Sequence, residues 1–582
     1  MRDFALIYLN GVRREIRGRE ALMMLGDWLR KEAGLTGTKI VCAEGDCGSC
    51  TVLRAFPDLA AHAHVHVGVQ GGVKVGANVG VIGGANDGAN VGAIVGADHA
   101  TRSTPLEFEA MNSCIVTVAQ MDGSHIVTVE GMQCGDELSP AQVAMKQCHA
   151  SQCGYCTPGF VMAISAMLEK HGDVNGTRVN VASDSGLRAN IASDSGRREN
   201  VASHGGADAA QQIDAKMAAN YLTGNLCRCT GYAPIVEAAL TVRATEKHSV
   251  AGRYSNTTAI ADALNTATKS LLIEHDGVKL FAPVSLREAV TFAAENPGFK
   301  VVGAATDLGV QTNKGKPLPR ALLSLHLIRD LYQAKQSRSD IVVGARVTLA
   351  QLRRLCETSA PELASFLNLF GSPQIKNVAT LVGNIANASP IGDTLPFLLI
   401  ADAVVHVASR PGGKGPIHKR KIEFTDLYVG YKKLALTPGE IITHVSFNAT
   451  NSNELLRLYK VSQRKDMDIS AISGAFSLTL AGRAKHSNSS NDLQSLAARK
   501  TKSSPRVVSA RIAFGGVAAT PIRMPEIEAA LVGDFTMEKA QVVAHMIASA
   551  IMPLSDVRGS AAYRRVTAAK LFMRYASEVL HA

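Results

Sequence analysis

The sequence predicts an α+β multidomain protein. Its 582 residues are enough for roughly three or four domains at ~150 residues each. Segments with the two-residue alternation of strands lie between segments with helical spacing, from the N-terminus to the end of the chain. Ten of the eleven cysteines fall within the first 229 residues, so the N-terminal part carries a chemistry of its own.

Composition and charge argue against several classes of protein. The N-terminal segment lacks the apolar region and cleavage site of a signal peptide, and no uncharged apolar run approaches the ~20 residues of a membrane span. Closely spaced cysteines in such a chain are typical of metal ligands in a reducing compartment, so we expect a cytoplasmic protein. The net charge is +11, but the basic residues are scattered, which argues against nucleic-acid binding.

The first 133 residues predict a strand-rich domain that presents a cysteine loop. Residues 3–9 alternate as a strand, and Asn10-Gly11 is a typical turn of a two-residue hairpin. The spacing over residues 22–33 predicts a helix that leads into the cysteines. Further strands are expected at residues 51–53, 114–118 and 126–130.

The first cysteine group is Cys42-x4-Cys47-x2-Cys50 in a glycine-containing loop. C-x4-C-x2-C…C is the spacing that wraps four thiolates around a plant-type [2Fe–2S] cluster. The alternatives are zinc, which favours paired C-x2-C knuckles, and three structural thiols. We expect Cys114 rather than Cys134 as the fourth ligand, because removing a low-complexity tract leaves an ordinary distance from Cys50. Residues 1–133 are therefore predicted to form a β-grasp, plant-type ferredoxin domain.

Two low-complexity tracts interrupt the N-terminal half. The first tract, from about residue 60 to 103, is rich in Gly, Val, Ala and Asn in near-repeats. In the second, from about residue 174 to 207, a short motif recurs every ten residues. Each seven-residue motif of this repeat (180–186, 190–196 and 200–206) has one aliphatic residue beyond alanine, too few for the continuous core of a solenoid. We interpret both tracts as solvent-exposed, mobile insertions without chemistry. His62, His64 and His66 alternate in the first tract and are candidate ligands for a stray metal ion.

The second cysteine group pairs Cys153-x2-Cys156 with Cys227-x-Cys229, between segments that predict helices over residues 138–170 and 210–242. Spacing alone leaves zinc open. The flanking residues SQCGYCTPG (151–159) and GNLCRCTGY (224–232) strongly resemble the second cluster of the xanthine dehydrogenase family of molybdenum hydroxylases. The resemblance implies a helical-bundle [2Fe–2S] domain over residues 134–243, beside a molybdopterin that Gln152 contacts.

A polar linker at residues 244–275 leads into an α/β region, in which Ser285 is expected to open a helix. The sequence of this region has no G-x-G-x-x-G fingerprint. Small residues instead follow a predicted strand in Lys300–Gly309, and a second small-residue loop occupies Asn377–Asp393. Such loops let backbone N–H groups approach a diphosphate, although an ordinary turn is the better explanation of each one taken alone. Behind an iron–sulfur module, they resemble the FAD-binding domain of the same family, of the molybdenum hydroxylase/vanillyl-alcohol-oxidase type, over residues 276–455.

The resemblance implies a set of cofactor contacts. Phe370 would lie against the isoalloxazine and Lys460 near the polar edge of the flavin; without the family they would be a core phenylalanine and a surface lysine. Ala304-Ala305 and Asn387 depart from the residues usual in these loops. The region where the pyridine nucleotide approaches corresponds to Tyr431, Arg464 and Asp468. The implied flavin contacts are Lys300, Val301, Val302, Gly303, Ala304, Ala305, Thr306, Asp307, Leu308, Phe370, Thr380, Asn384, Asp393, Ile442 and Lys460.

Residues 456–582 predict strands followed by helices, and Ser560-x2-Tyr563-Arg564-Arg565 resembles a signature of the family's C-terminal α+β flavoprotein domain. We expect this motif to order a domain interface.

The resemblance covers nearly the whole chain apart from the two tracts and the linker, and it is closest to the small, iron–sulfur/FAD subunits of bacterial xanthine dehydrogenases. It implies that a molybdopterin-binding large subunit oxidises hypoxanthine or xanthine to urate, in a dimer of heterodimers. Electrons would pass through two [2Fe–2S] clusters to FAD and on to NAD+, because a flavin can exchange one electron or two. Two alternatives stay open. One is the same wiring in an aldehyde, carbon monoxide or N-heterocycle hydroxylase, and the other is a zinc-stabilised interaction module on a non-redox α/β domain.

Overall fold

The computed structural model describes most of the chain outside the two low-complexity tracts. The described residues are 1–57, 66–67, 106–133, 135–171, 213–242, 249–254, 257–337, 339–450, 453–481 and 504–581. The interpretation of the tracts as mobile insertions, the candidate ligands His62 and His64, and the alternative ligand Cys134 therefore lie outside the described residues.

The N-terminal domain is a mixed five-stranded sheet with strand order β2-β1-β6-β3-β5. The predicted hairpin is confirmed: Leu9 pairs with Val12, and Asn10 and Gly11 adopt φ of 49° and 80°. Helix α1 (Gly18–Leu22) packs against the sheet through Ala21 and Leu22, and helix α2 (Leu25–Lys31) through Leu25, Trp28 and Leu29. The first six strands of the chain are β1 (Phe4–Leu9), β2 (Val12–Arg17), β3 (Thr51–Ala55), β4 (His66–Val67), β5 (Glu109–Asn112) and β6 (Ser124–Val127), of which β4 belongs to a sheet of the third domain.

The strand predicted at residues 114–118 is wrong. This segment forms two short 3-10 helices, Ser113–Ile115 and Val118–Met121. The hydroxyl of Ser113 donates to the carbonyl of Cys50, and the backbone N–H of Thr117 donates to Oε1 of Gln120. These side-chain bonds turn the chain immediately after β5, although the apolar alternation of the segment is typical of a strand.

The second domain is a bundle of four helices around a core that includes Phe160, Ile164, Met167 and Ile235. Each of its cysteine loops comes directly before a helix. Two further helices follow in the region predicted as a linker. The helices are α3 (Pro140–Gln147), α4 (Thr157–His171), α5 (Ala215–Leu222), α6 (Ala233–Thr241), α7 (Val250–Arg253) and α8 (Thr257–Thr266).

The third domain begins with a four-stranded sheet of order β7-β8-β10-β9. Its elements are β7 (Leu271–His275), β8 (Val278–Ala282), α9 (Leu286–Glu295), β9 (Lys300–Val302), α10 (Leu308–Asn313) and β10 (Ala321–Ser324). The hydroxyl of Ser285 accepts a hydrogen bond from the backbone N–H of Glu288, so the predicted start of α9 is confirmed. β10 pairs in parallel with both β8 and β9, which places the residues after β9 at one edge of this sheet.

The same domain continues with a second sheet of order β14-β13-β17-β12-β11-β4, to which residues 66–67 contribute the last strand. The strands of this part are β11 (Ala334–Gln336), β12 (Asp340–Gly344), β13 (Val404–Ser409), β14 (His418–Glu423), β15 (Tyr428–Gly430), β16 (Lys433–Leu434) and β17 (Ile441–Asn448). Its helices are α11 (Leu349–Ser359), α12 (Pro361–Leu367), α13 (Pro373–Lys376), α14 (Leu381–Asn387) and α15 (Leu395–Ile400).

The C-terminal domain packs a sheet of order β18-β19-β20-β21 against long helices, as predicted. Its aromatic core contains Phe476, Phe514, Phe572 and Tyr575. Across the described ranges, no helix is both long and apolar enough to cross a membrane. The elements are β18 (Glu454–Val461), β19 (Ile472–Leu480), β20 (Arg506–Gly515), β21 (Ile522–Arg523), α16 (Pro525–Leu531), β22 (Gly533–Asp534), α17 (Met537–Ala550) and α18 (Ala561–His581).

Candidate iron–sulfur and flavin sites

The pairing of β3 with β5 brings Cys114 to the first cysteine loop. Thr51 pairs with Asn112, and one residue further out the backbone N–H of Ser113 donates to the carbonyl of Cys50 at 3.3 Å. Cys50 ends the cysteine loop and Cys114 follows Ser113, so the sheet register itself sets the two thiols side by side. Cys47, Cys50 and Cys114 are buried, and Cys42 is half-buried.

The four thiols of this first set are in mutual contact. Hydrogen bonds with the thiols of Cys114 and Cys47 hold the pKa of Cys42 well below its usual range. The same kind of contact, with Cys114, lowers the pKa of Cys50, whereas the pKa of Cys114 itself is raised. The backbone N–H groups of Glu44 and Cys47 also point to Sγ of Cys42, each at 3.4 Å. The two backbone donors therefore stabilise the thiolate of Cys42, and the thiolate is the form that binds metal, whereas the contact with Cys42 raises the pKa of Cys47.

The second set of thiols lies between the starts of α4 and α6. Sγ of Cys229 is 3.8 Å from Sγ of Cys227 and 3.7 Å from Sγ of Cys153, and Cys156 contacts Cys227. Burial raises the pKa of Cys227, but hydrogen bonds from Thr230 and neighbouring groups outweigh it and lower the pKa to about 7. Cys153 and Cys229 are exposed while Cys227 is buried, so this set reaches from the interior to the surface.

Each set offers four sulfur donors, as a [2Fe–2S] cluster requires. Among the described residues, no three His, Cys, Asp or Glu side chains converge on one point that would hold a single metal ion. A diiron core is larger than one ion and takes its four thiolates in pairs, two on each iron. The four cysteine sulfurs of each set fit such a core.

The loops that carry the two sets are bonded directly to each other. The backbone N–H of Leu226 donates to the carbonyl of Cys47 at 3.0 Å, and Nδ2 of Asn225 donates to the carbonyl of Gly48 at 3.1 Å. Nε2 of Gln374, at the start of the third domain's helix α13, donates to Oδ1 of Asn225 at 2.8 Å. Asn225 and Gln374 are both buried, so three domains meet at this junction.

The junction leaves no room for a side chain at Gly48. A Cβ atom there would lie 2.2 Å from the carbonyl oxygen of Gly224, and the residue adopts φ of 66°. Both the left-handed backbone and the close approach require glycine.

The first thiol set also contacts the third domain. Nδ2 of Asn313, the last residue of α10, donates to the carbonyls of Ala43 at 2.7 Å and Cys114 at 2.8 Å. Lys314 forms an ion pair with Glu44 at 2.8 Å. Helix α10 begins directly after the first small-residue loop, so this loop and the first thiol set lie at opposite ends of a six-residue helix.

The two small-residue loops of the third domain meet. An ideal Cβ on Gly303 would have Oγ1 of Thr380 as its nearest neighbour, at 3.7 Å. That hydroxyl accepts from the backbone N–H of Gly383 and so starts helix α14. Ala305 turns the first loop with φ of 59°. Residues 303–305 carry at most a methyl group, which leaves their backbone open to a bound diphosphate, and the loop fits that group.

Several other predicted flavin residues form a buried polar group. Nζ of Lys460 is 2.7 Å from Oδ2 of Asp393, and both side chains are less than a tenth exposed. The hydroxyl of Ser470 also donates to Asp393. Oδ1 of Asn384 accepts from Thr394 at 2.7 Å, one residue beyond Asp393.

The remaining predicted flavin residues differ in their exposure. Phe370 is half-buried after α12, and Ile442 is buried in β17. Lys300, Val301 and Asp307 are exposed, Val302 is buried, and Thr306 and Leu308 are half-buried.

The residues predicted near the pyridine nucleotide lie on the surface. Tyr431 is 61% exposed between β15 and β16. The backbone N–H of Arg464 donates to Oδ2 of Asp468 at 2.9 Å, which closes a charged loop. The charges of Arg464 and Asp468 act on the carboxyl of Asp46, so this loop lies beside the first thiol loop. Gln152 is exposed next to Cys153.

Three residues at these sites were not predicted. Asn313 and Gln374 are bonded to cysteine loops more than 140 positions away in the chain. Arg346 donates to the carbonyl of Gly303 from behind the first loop. A lone polar residue at a helix end or after a strand gives no signal in a single sequence, because its partner is set by the tertiary fold.

Comparisons with known families agree with this arrangement of domains. Residues 276–448 match the FAD binding domain in molybdopterin dehydrogenase, and residues 128–240 match a [2Fe-2S] binding domain. Residues 457–579 match the CO dehydrogenase flavoprotein C-terminal domain. The order of these matched domains agrees with the architecture of the iron–sulfur and flavin parts of molybdenum hydroxylases. The predicted multidomain fold class is confirmed.

The chain is similar over almost its whole length to xanthine dehydrogenases. It is 26% identical to the enzyme of Blastobotrys adeninivorans over 98% of this chain and 25% identical to that of Oryza sativa subsp. japonica over 91%. The chain spans 40% and 36% of the length of these two relatives. Among solved structures, quinoline 2-oxidoreductase from Pseudomonas putida 86 is 22% identical, with a TM-score of 0.43, and covers 52% of this chain and 95% of its own. A carbon monoxide dehydrogenase chain from Hydrogenophaga pseudoflava is 23% identical, with a TM-score of 0.44, over 51% and 94%.

Proposed function

We propose that this chain carries electrons from a molybdopterin-binding partner, through two [2Fe–2S] clusters, to FAD and on to NAD+. The hydrogen bond from Leu226 to Cys47 carries the proposal, because it joins the loop of one thiol set to the loop of the other. Beyond this bond, the second thiol set reaches the surface at Cys153 and Cys229, and the first set is bonded to helix α10 through Asn313.

The proposed ligands of the inner cluster are Cys42, Cys47, Cys50 and Cys114. Three of these thiols are buried, and Asn313 ties the backbone of Cys114 to the start of the flavin domain. Burial keeps water from the cluster, and the fixed contact with α10 keeps the distance to the first flavin loop constant. The residues thus hold a carrier in place rather than perform bond-forming chemistry.

The proposed ligands of the outer cluster are Cys153, Cys156, Cys227 and Cys229. Three exposed apolar side chains lie beside them in the chain: Tyr155 is 50% exposed, Leu226 43% and Tyr232 38%. Exposed aromatic and aliphatic side chains beside a functional group are typical of a protein interface. We propose that the molybdopterin-binding partner covers this surface, with Gln152 facing the pterin.

The proposed flavin site comprises the loop 300–308, Thr380, Asn384 and the buried pair Asp393–Lys460, with Phe370 and Ile442 as apolar contacts. FAD, when bound, exchanges both one electron and two, which an iron–sulfur cluster and a nicotinamide each cannot do. The charged loop with Arg464 and Asp468 lies on the outside of this region, and the exposed Tyr431 is the other candidate contact of NAD+.

The similarity to xanthine dehydrogenases over more than nine tenths of the chain favours hypoxanthine and xanthine as the partner's substrates, in purine catabolism in the cytoplasm. The match of residues 457–579 to the CO dehydrogenase flavoprotein domain keeps a different hydroxylase as the second candidate. Both candidates use the same wiring in this chain. The substrate profile of the co-purified partner distinguishes them.

The test is the cofactor content of the purified chain, isolated anaerobically and measured by metal analysis and visible absorbance. We expect about four irons in two clusters and one flavin per chain, with a brown colour. A colourless protein that contains zinc and no flavin would contradict the proposal and support a zinc-stabilised interaction module.

A further inference from the structure

Arg346 is a buried arginine behind the first flavin loop. It follows β12 and is 4% exposed. One terminal nitrogen of its guanidinium donates to the carbonyl oxygen of Gly303, and Nε contacts the hydroxyl of Tyr332 at 3.4 Å. The guanidinium also lies 5.4 Å from the centre of the Tyr332 ring. The residue is therefore held in place on the inner side of the loop that runs from β9 to α10.

Among the described residues, Arg346 has no carboxylate partner, unlike the arginines near it. Its buried neighbours Arg2 and Arg54 each have a carboxylate, Asp122 at 2.6 Å and Glu109 at 3.8 Å. In the described part of the chain, no carboxylate lies within ion-pair distance of Arg346.

The titratable groups of this region supply no negative charge to Arg346. The side chain of Asp307 is exposed and accepts from Gln311. His326 is buried, and its burial and the neighbouring arginines lower its pKa to about 3, so the ring stays neutral. Neither group provides an anion for Arg346.

A buried guanidinium without a counter-ion is costly, because it has lost its hydration and gained no opposite charge. The loop that it holds is also the loop proposed to bind the diphosphate of the flavin dinucleotide. We propose that Arg346 positions residues 303–306 and supplies the positive charge that balances this diphosphate. The inference rests on the proposed FAD site and goes beyond it by adding a residue that no part of the sequence pattern marks.

The test is the dissociation constant of FAD for the full chain, measured by flavin fluorescence after the bound flavin has been removed. We expect Arg346→Gln to weaken FAD binding about 10- to 100-fold, because a charge-assisted interaction with a desolvated anion is lost. Arg346→Lys keeps the charge and should bind FAD within about five-fold of the unmodified chain. Rescue by lysine separates a charge effect from a packing effect.

A surface variant serves as the matched control. Arg353→Gln removes a charge from the surface of α11, where Arg353 pairs with Glu357 at 2.9 Å, and should leave FAD binding unchanged. The visible circular dichroism of the iron–sulfur clusters reports whether each variant is folded.

The outcomes separate the two proposals. An unmodified chain that binds no FAD overturns the proposed function, whereas equal FAD affinity of the unmodified chain and Arg346→Gln overturns the role of Arg346 alone. If Arg346→Gln does not fold, Arg346→Lys decides, since a loss above about 100-fold despite the retained charge contradicts the inference. A competition experiment needs no variant: inorganic pyrophosphate should displace FAD from the unmodified chain, and no displacement at millimolar concentration contradicts a site for the diphosphate.

Discussion

The backbone N–H of Leu226 donates to the carbonyl oxygen of Cys47 at 3.0 Å. Leu226 comes directly before Cys227, so this bond joins the two thiol sets. Only covalent bonds and this one hydrogen bond separate the two cysteines. Asn225 and Gln374 fix the same junction from either side. The geometry of the junction is therefore a direct determinant of how the two proposed clusters communicate.

Replacement of Gly48 by alanine should disrupt this junction. The new Cβ would lie 2.2 Å from the carbonyl of Gly224, in addition to the strain of φ at 66°. We expect loss of iron from the first thiol set and a lower thermal midpoint. Gly34→Ala is the matched control, because Gly34 has φ of 71° and no atom within 4 Å of the added Cβ. Its cost should be limited to backbone strain of about 1–2 kcal/mol. Equal iron content in the two variants would contradict the steric argument.

The assignment of Cys114 can be tested by iron content. Cys114→Ser should reduce the iron from about four to about two per chain, because one of two diiron cores loses a thiolate. Cys356→Ser removes a buried thiol that is remote from both sets and should keep the full iron content. Cys134→Ser should do the same. A loss of iron in Cys134→Ser and not in Cys114→Ser would reverse the assignment.

The ion pair of Lys460 with Asp393 should show strong coupling. Lys460→Met leaves the carboxylate of Asp393 buried, with Ser470 as its one remaining hydrogen-bond donor among the described residues. Removing one partner of a buried ion pair costs about 3–5 kcal/mol of the free energy of unfolding. Asp393→Asn in the same chain removes the stranded charge and should recover part of the free energy of unfolding. A double-mutant cycle from denaturant unfolding gives the coupling energy, and additive effects of the two substitutions would contradict a paired, desolvated site.

Stability should fall in mildly acidic solution because buried histidines resist protonation. Burial lowers the pKa of His125 to about 4, whereas an unfolded histidine titrates near 6.5. Between these values the unfolded chain binds more protons than the folded chain, so the free energy of unfolding decreases as the pH drops from about 6.5 to 4. His125→Gln should flatten this dependence by about one proton. His545→Gln, on the exposed side of α17, is the control, and an unchanged slope in His125→Gln would be inconsistent with a buried neutral ring.

Local chemistry and motif spacing were enough to predict much of this molecule. Asn10-Gly11 determines its own turn and Ser285 its own helix start. Close spacing marks seven of the eight thiols, whereas Cys114 was expected only after the low-complexity tract before it had been set aside. The prediction failed where distant groups decide the outcome. The segment after Ser113 looks like a strand but turns because its hydroxyl reaches Cys50, 63 positions earlier. Gln374 is hydrogen-bonded to Asn225, 149 positions away, and Arg346 to Gly303, 43 positions away. No periodicity in the sequence indicates either hydrogen bond.

Two clusters in this chain are proposed to exchange electrons with each other and with a flavin. Low-temperature electron paramagnetic resonance of the full chain during stepwise anaerobic reduction tests this directly. We expect two distinct [2Fe–2S] signals, split by magnetic coupling when both clusters are reduced, and a transient flavin radical signal. A chain that shows no iron–sulfur signal at any stage of reduction, or a single signal without coupling, would contradict this proposal.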